Sequence, residues 1–349
     1  MTNTMRFAIV GAGVISPLHA RAILAHPEAE LTAIVDEVPE KAEALAKEFG
    51  SPPTFTTLEQ MLKEAEVDAV CVCVPSGLHR NVTVASARAG KHVLCEKPLG
   101  ITAEDMDVMI EACRTHGVKL ATVFQKRTTE LALLTKKAVD EGKLGRLVLG
   151  DAYLKYYRSR EYYKSAGWRG TWALDGGGAL MNQGVHGVDI IRWLMGDVES
   201  VFAYASPLIH DIEVEDTAVA VVKYANGAYG VIQGTTTVNP GQEARFEIHG
   251  EHGSIIYGDS GFKVWKTLDG DVAPGSGLGG KADGTDDPHA ISADGHYILV
   301  DDLIRAAREN REPLISGEEA RKSVDLILAI YESARTGKEV RLNAGGVKR

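Results

Sequence analysis

Along the first ~125 residues, short apolar runs alternate with amphipathic stretches, the pattern of strand–helix–strand units that build a parallel sheet. Arg6–Val10, Leu31–Val35, Asp68–Val74, His92–Cys95 and Lys119–Phe124 read as strands. Helices are predicted between them at Pro17–Ala25, Glu40–Phe49, Asn81–Ala89 and Ala103–Thr115, with Gly50 and Gly90 placed to end two of them. A further helix is predicted at Glu130–Asp140, and then the texture changes. From Gly145 onward strands follow one another directly: Leu147–Tyr157, Val201–Ser206, Thr217–Tyr224, Ala228–Thr237, Ala244–His249, Ser254–Tyr257 and Phe262–Lys266. Asn226-Gly227 between two such runs signals a two-residue hairpin. One helix near Gly178–Met195 interrupts this second pattern, and helices near His296–Glu309 and Glu318–Arg335 follow it. The expected class is therefore α/β, with a parallel-sheet domain over 1–124 and a second domain over 125–349 built on a large, mostly antiparallel open sheet. Six glycines fall within residues 270–284, which predicts a mobile loop.

Two domains also suit the length of 349 residues. A charged fraction of 25% and a hydrophobic fraction of 44% exclude a disordered chain. The net charge of −10 opposes binding to nucleic acid or to an anionic membrane surface, yet leaves room for a phosphorylated small molecule in a local basic pocket. No run approaches the ~20 apolar residues of a membrane-spanning helix, and the first strand begins too early for a signal peptide. A cytoplasmic location is expected. Four cysteines fit a reducing compartment; Cys71, Cys73, Cys95 and Cys113 are read as buried free thiols, and no metal site is expected.

The candidate chemistry begins at Gly11-Ala12-Gly13-Val14-Ile15-Ser16, which fits G-x-G-x-x-G with serine in the third slot. It follows a strand and opens a helix, the context that makes this a dinucleotide site. Gly11 allows the tight turn, Gly13 lets a pyrophosphate approach the backbone, and Val14 and Ile15 complete the loop. Asp36 ends the second strand, where a carboxylate accepts from an adenosine ribose and repels a 2′-phosphate. With Asp36-Glu37 there and only Lys41 nearby, NAD is expected over NADP. Lys97, in Cys95-Glu96-Lys97-Pro98, stands at the carboxyl end of a strand, where open α/β sheets bind ligands; Pro98 suits a cis turn. In Asp175–Asp189, three glycines precede a helical pattern that spaces Asn182, His186 and Asp189 along one face. Tyr156, Tyr157, Arg158, Arg160, Tyr162 and Tyr163 offer aromatic faces and guanidinium forks suited to sugar rings and to phosphate or carboxylate groups; a plain edge strand with a polar loop is the alternative.

Gly11–Ser16, Val74-Pro75-Ser76 with His79, Glu96-Lys97-Pro98, Gln125 with Arg127, Trp168-Arg169, Gly176–Asp189 and the closing Ile330–Arg335 together resemble the Gfo/Idh/MocA oxidoreductase family, in order and over essentially the whole chain. The resemblance implies a Rossmann domain followed by an α/β domain whose sheet commonly makes homodimers or homotetramers. It implies NAD(P)-dependent oxidation or reduction of a secondary alcohol on a sugar, cyclitol or nucleotide-sugar. It assigns Val74, Pro75, Ser76 and His79 to the adenosine side, and Glu96, Gln125, Trp168 and Arg169 also to the cofactor. Lys97 would serve nicotinamide ribose and substrate hydroxyl, and His186 the proton transfer. Inositol-dehydrogenase-like members carry Asp where this chain has Asn182, which shifts weight toward other pyranoses. With Lys97, Asn182 and His186 as catalytic residues, and with Arg127 and Arg158 joining them on the substrate, the expected activity is NAD-dependent dehydrogenation of a ring hydroxyl. Asp189 would fix the His186 tautomer. Two rivals remain at this stage: a glycosidase that retains NAD and cleaves by elimination, and a non-catalytic sugar or NAD sensor, which would need neither Lys97 nor His186.

Overall fold

The computed structural model describes residues 4–272, 293–343 and 346–347. The glycine-rich segment from 273 to 284 lies outside them. The chain divides into two compact units, Met1–Gln125 with Ser292–Arg321, and Lys126–Ile291 with Lys322–Arg349. A second domain running unbroken over 125–349 was expected; instead, a C-terminal segment returns to the first unit. The physical reason is an apolar helix face, Leu299, Val300, Leu303 and Ile304, which is buried there.

The first unit holds six strands: β1 (Met5–Val10), β2 (Ala29–Val35), β3 (Thr54–Phe55), β4 (Ala69–Val72), β5 (His92–Cys95) and β6 (Leu120–Thr122). Their order is β3-β2-β1-β4-β5-β6, every pair parallel. Helices α1 (Ser16–Ala25), α2 (Pro39–Glu48), α3 (Leu58–Glu64), α4 (His79–Arg88) and α5 (Ala103–Thr115) link the strands. A sheet covered on both faces needs continuous apolar strands rather than alternating ones. Ala69–Val72 accordingly has all four residues buried, as do Phe7–Ile9. The strand order reverses direction at β1 and β4, which opens a crevice at their carboxyl ends. β3 and α3 escaped the sequence pattern because two and seven residues carry too little periodicity.

The second unit begins with α6 (Glu130–Asp140), β7 (Leu147–Lys155) and α7 (Arg160–Lys164). A π-helical segment, Ala179–Gly184, leads into α8 (Val185–Met195). Then come β8 (Val198–Ser206), β9 (Thr217–Tyr224), β10 (Tyr229–Thr235), β11 (Arg245–Gly250), β12 (Gly253–Gly258) and β13 (Gly261–Lys266). Helix α9 (Asp294–Glu309) belongs to the first unit's returning segment, α10 (Gly317–Thr336) continues from that segment, and β14 (Val340–Asn343) and β15 (Gly346–Val347) finish the chain. The sheet runs β13-β12-β11-β7-β10-β9-β8-β14-β15, antiparallel apart from β7–β10. Its strands alternate as a half-covered sheet must: Val201, Ala203, Ala218, Ala220 and Val222 are buried, whereas Phe202, Tyr204, Val219 and Val221 are exposed. Helix α8 lies close against the inner face, because a Cβ at Gly187 would stand 2.2 Å from Leu154. Among the described residues no helix is long and apolar enough to cross a membrane.

Candidate functional site

The Gly11 turn closes on backbone and side-chain bonds that explain its sequence. Gly11 has φ +98°, and a Cβ there would meet the Cys73 carbonyl oxygen at 2.5 Å, so glycine is required twice over. The Ser16 hydroxyl donates back to the Gly11 carbonyl, which gives the serine in the third slot a structural task. Gly13 has open space where a Cβ would stand, and no side chain caps the N-terminus of α1. An uncapped helix N-terminus beside open space is an anion site, and a pyrophosphate fits it. Asp36 accepts the Ala12 N–H at 2.8 Å and the Val38 N–H at 2.9 Å, one on each oxygen. Two further lone pairs remain for ribose hydroxyls, and the negative charge disfavours a 2′-phosphate. These groups together fit NAD.

At the end of β4, Val74, Pro75 and Ser76 are half-buried. His79 is buried, with Nδ1 2.8 Å from the Pro98 carbonyl and Nε2 3.0 Å from the Val74 carbonyl. It ties the Val74–Ser76 turn to the Glu96–Pro98 turn. The Lys97–Pro98 peptide is cis. Lys97 is half-buried, but Glu96 turns inward: its Oε1 is 2.7 Å from His19 Nε2 and 3.4 Å from His296 Nε2. Burial opposes the Glu96 charge, yet the hydrogen bonds from both histidines hold its carboxyl well below the usual range. Its carboxylate belongs to a buried triad with these histidines, which sequence spacing alone did not reveal. Gln125 opens a short turn, Gln125–Thr128, just past β6.

In the second unit, Gly177 and Gly178 make room for two groups the sequence reading did not single out as functional. A Cβ on Gly177 would meet the Tyr331 hydroxyl at 2.2 Å, and one on Gly178 the Glu215 carbonyl at 2.0 Å. The Glu215 carboxylate accepts from Gly178 N–H at 2.9 Å, Leu180 N–H at 2.8 Å and the Tyr331 hydroxyl at 2.7 Å. It thus anchors the start of the segment that carries Asn182 and His186. Burial pushes the Glu215 carboxyl up to about 7 despite these three donors. The signal available in sequence was the acidic pair Glu215-Asp216 opening an otherwise apolar strand.

The π-helical turn breaks the simple α-helical spacing of Asn182, His186 and Asp189. Asn182 and His186 are half-buried, whereas Asp189 is fully buried. Arg127 clasps Asp189 through Nε at 2.6 Å and a terminal nitrogen at 2.5 Å, and the Ser323 hydroxyl adds a third bond at 2.7 Å. One expectation is corrected here: Asp189 serves Arg127 and Ser323 rather than the His186 tautomer. Asn182 donates to Asp175, whose other oxygen accepts the Gly170 N–H at 2.8 Å. Arg158 is buried and donates to Gln183 at 3.0 Å; Gln183 in turn donates to the Tyr162 hydroxyl at 2.7 Å. Arg169 donates to the same hydroxyl and stacks 4.2 Å over the Tyr162 ring and 4.6 Å over Trp168. Arg158, Tyr162, Trp168, Arg169, Asn182 and Gln183 thereby form one polar, aromatic network. The four cysteines are buried and free.

Residues 5–124 match the model of the oxidoreductase family with an NAD-binding Rossmann fold, and residues 133–256 match the GFO/IDH/MocA C-terminal domain. The chain belongs to the GFO/IDH/MocA oxidoreductase family. Among its relatives, a myo-inositol 2-dehydrogenase from Thermotoga maritima is 32% identical, over 72% of this chain and 75% of that protein. A 1,5-anhydro-D-fructose reductase from Ensifer adhaerens is 31% identical over similar shares, 72% and 75%. Among solved structures, the WlbA dehydrogenase from Bordetella pertussis, in complex with NADH and UDP-GlcNAcA, is 37% identical. It superimposes with a TM-score of 0.87 over 97% of this chain and 99% of that one. This GFO/IDH/MocA member is accordingly an oxidoreductase with an NAD-binding Rossmann domain. The glycosidase and sensor readings find no support among these relatives.

Proposed function

We propose that the substrate is a nucleotide-linked sugar acid of the UDP-GlcNAcA kind, oxidised at a ring hydroxyl. The observation that carries this is the 37% identity, over nearly the full length of both chains, with a dehydrogenase solved in complex with NADH and UDP-GlcNAcA. Two features of this chain agree with it. A diphosphate-linked acid carries several negative charges, and a protein of net charge −10 needs local cations to hold it. Arg158 and Arg169 bring two guanidinium groups onto the Tyr162 ring, at 5.5 and 4.2 Å. Asn182 in place of an aspartate also argues against inositol.

In this proposal NAD supplies the hydride acceptor. Lys97 hydrogen-bonds the reacting oxygen and stabilises the alkoxide charge that develops on it. His186 receives the hydroxyl proton, and Asn182, steadied by Asp175, orients a neighbouring hydroxyl. The exposed sheet face is apolar: Tyr204, Val219, Phe202, Val221, Tyr229 and Leu149 stand on paired strands with their side chains outward. Such a face is a protein–protein surface, and we propose that it pairs copies of this chain as a homodimer or homotetramer. The deciding experiment incubates the protein with NAD and UDP-GlcNAcA, myo-inositol or levoglucosan in turn and follows NADH. UDP-GlcNAcA should give the highest kcat/KM, and Lys97→Ala should lower kcat about 10²–10³-fold while NAD affinity changes little. Turnover of inositol alone would refute the substrate assignment.

A further inference from the structure

Glu96 stands one residue before Lys97, yet its carboxylate points into the core of the first unit. Its Oε2 accepts the backbone N–H of Lys97 itself at 3.2 Å, while Oε1 faces His19 and His296. Both imidazoles are fully buried, their rings edge to face at 5.0 Å. His19 Nδ1 and His296 Nδ1 lack a hydrogen-bond partner among the described residues, and the 3.4 Å contact with Glu96 Oε1 is the polar contact of His296 Nε2. Buried polar atoms left so exposed to an apolar core are costly, and they persist only where something else is gained.

We propose that His19 and His296 position Lys97, acting through Glu96. A carboxylate buried with the Lys97 amide alone would take up a proton, and the neutral carboxyl would hold that amide more weakly than a charged acceptor does. Two imidazole N–H groups directed at Oε1 keep the carboxylate ionised, so that Oε2 stays a charged acceptor and holds the Lys97 backbone in one orientation. Burial lowers the pKa of His19 against the pull of Glu96, which keeps its ring neutral and its Nε2–H available. The other titratable groups around Glu96 do not compete for the charge. Burial pushes the thiols of Cys71, Cys73 and Cys95 up, and it lowers the pKa of His79. His19 lies on α1, one turn past Ser16 in the dinucleotide turn, and His296 lies on α9. The lysine's placement is therefore tied to the helix that receives the pyrophosphate and to the returning C-terminal segment.

A metal ion in the triad is the competing account, and the distances disfavour it. Ligands held ~2.0–2.1 Å from a tetrahedral metal stand more than ~3 Å apart, whereas His19 and Glu96 are 2.7 Å apart, a hydrogen-bond distance.

The inference rests on the catalytic assignment of Lys97, so its test has a readout that needs no substrate. In the NAD-bound protein, amide hydrogen exchange at Lys97 should accelerate at least tenfold in His296→Leu and return toward wild type in His296→Gln, which restores an N–H. With UDP-GlcNAcA and NAD, His296→Leu should lower kcat about tenfold while KM and NAD affinity move less than threefold. Placed in a Lys97→Ala background, the same substitution should cost nothing further, because residues acting through one another are not additive. His296→Phe, closer in shape, carries the same readouts if the leucine variant fails to fold. Unchanged exchange at Lys97, an undiminished loss in the Lys97→Ala background, or stoichiometric metal in the purified protein would each overturn the proposal. A wild type inert toward UDP-GlcNAcA would instead count against the substrate, leaving the exchange measurement to decide this inference.

Discussion

Replacing Asp189 by alanine removes one half of an ion pair that has almost no access to water. The side chains of Arg127 and Asp189 are 5% and 1% exposed, and the three hydrogen bonds to the carboxylate are all at 2.7 Å or less. Alanine leaves the guanidinium buried without its counter-charge, and stacking 5.4 Å over the Trp193 ring cannot replace two charge-assisted bonds. Breaking a buried pair in this way costs about 3–5 kcal/mol. Removing both charges is a different perturbation: Arg127→Met with Asp189→Leu keeps volume and strands no charge, so it should cost less than Asp189→Ala alone. Urea unfolding followed by tryptophan fluorescence suits the test, because Trp193 sits against the guanidinium and reports on its own unit. A midpoint for Asp189→Ala within ~1 kcal/mol of wild type, or a double variant as unstable as the sum of its parts, would refute the reasoning. It would also reopen a role for Asp189 beside His186.

Three further outcomes are expected. NAD should bind at least about tenfold more tightly than NADP, and Asp36→Ala should erode that gap by weakening NAD, as isothermal titration would show; the carboxylate also holds the Ala12 and Val38 amides, so some loss of stability should accompany it. His186→Asn should lower the oxidative rate roughly 10²–10⁴-fold and abolish the acidic limb of the pH–rate profile; an unchanged limb would move proton acceptance to Lys97. Glu215 is raised from 4.5 to about 7 in the folded protein, so between those values the folded state binds the extra proton. Its contribution is fully present below pH 4.5 and is lost as pH rises to about 7, a change of about 3 kcal/mol that Glu215→Gln should remove from the stability–pH curve.

Local chemistry was enough to read the first unit. Gly11, Asp36 and Lys97 stand just past the ends of β1, β2 and β5, and strand ends are visible as the edges of apolar runs. The direct succession of strands after Gly145 likewise announced a large antiparallel sheet, since each strand and turn depends only on neighbouring residues. Partnership across the fold was a different matter. Spacing put Asp189 on the face of His186, but the arrival of Arg127 and Ser323 took its carboxylate elsewhere. Glu96 looked like part of a cofactor motif until His19 and His296, separated from it by 77 and by 200 residues, closed on it in the core. A charged side chain satisfies itself with whatever donor packing brings within 3 Å, and donors that distant in sequence leave no periodic trace. The backbone course follows from patterns of neighbours, whereas the destination of each buried charge follows from which helices pack together.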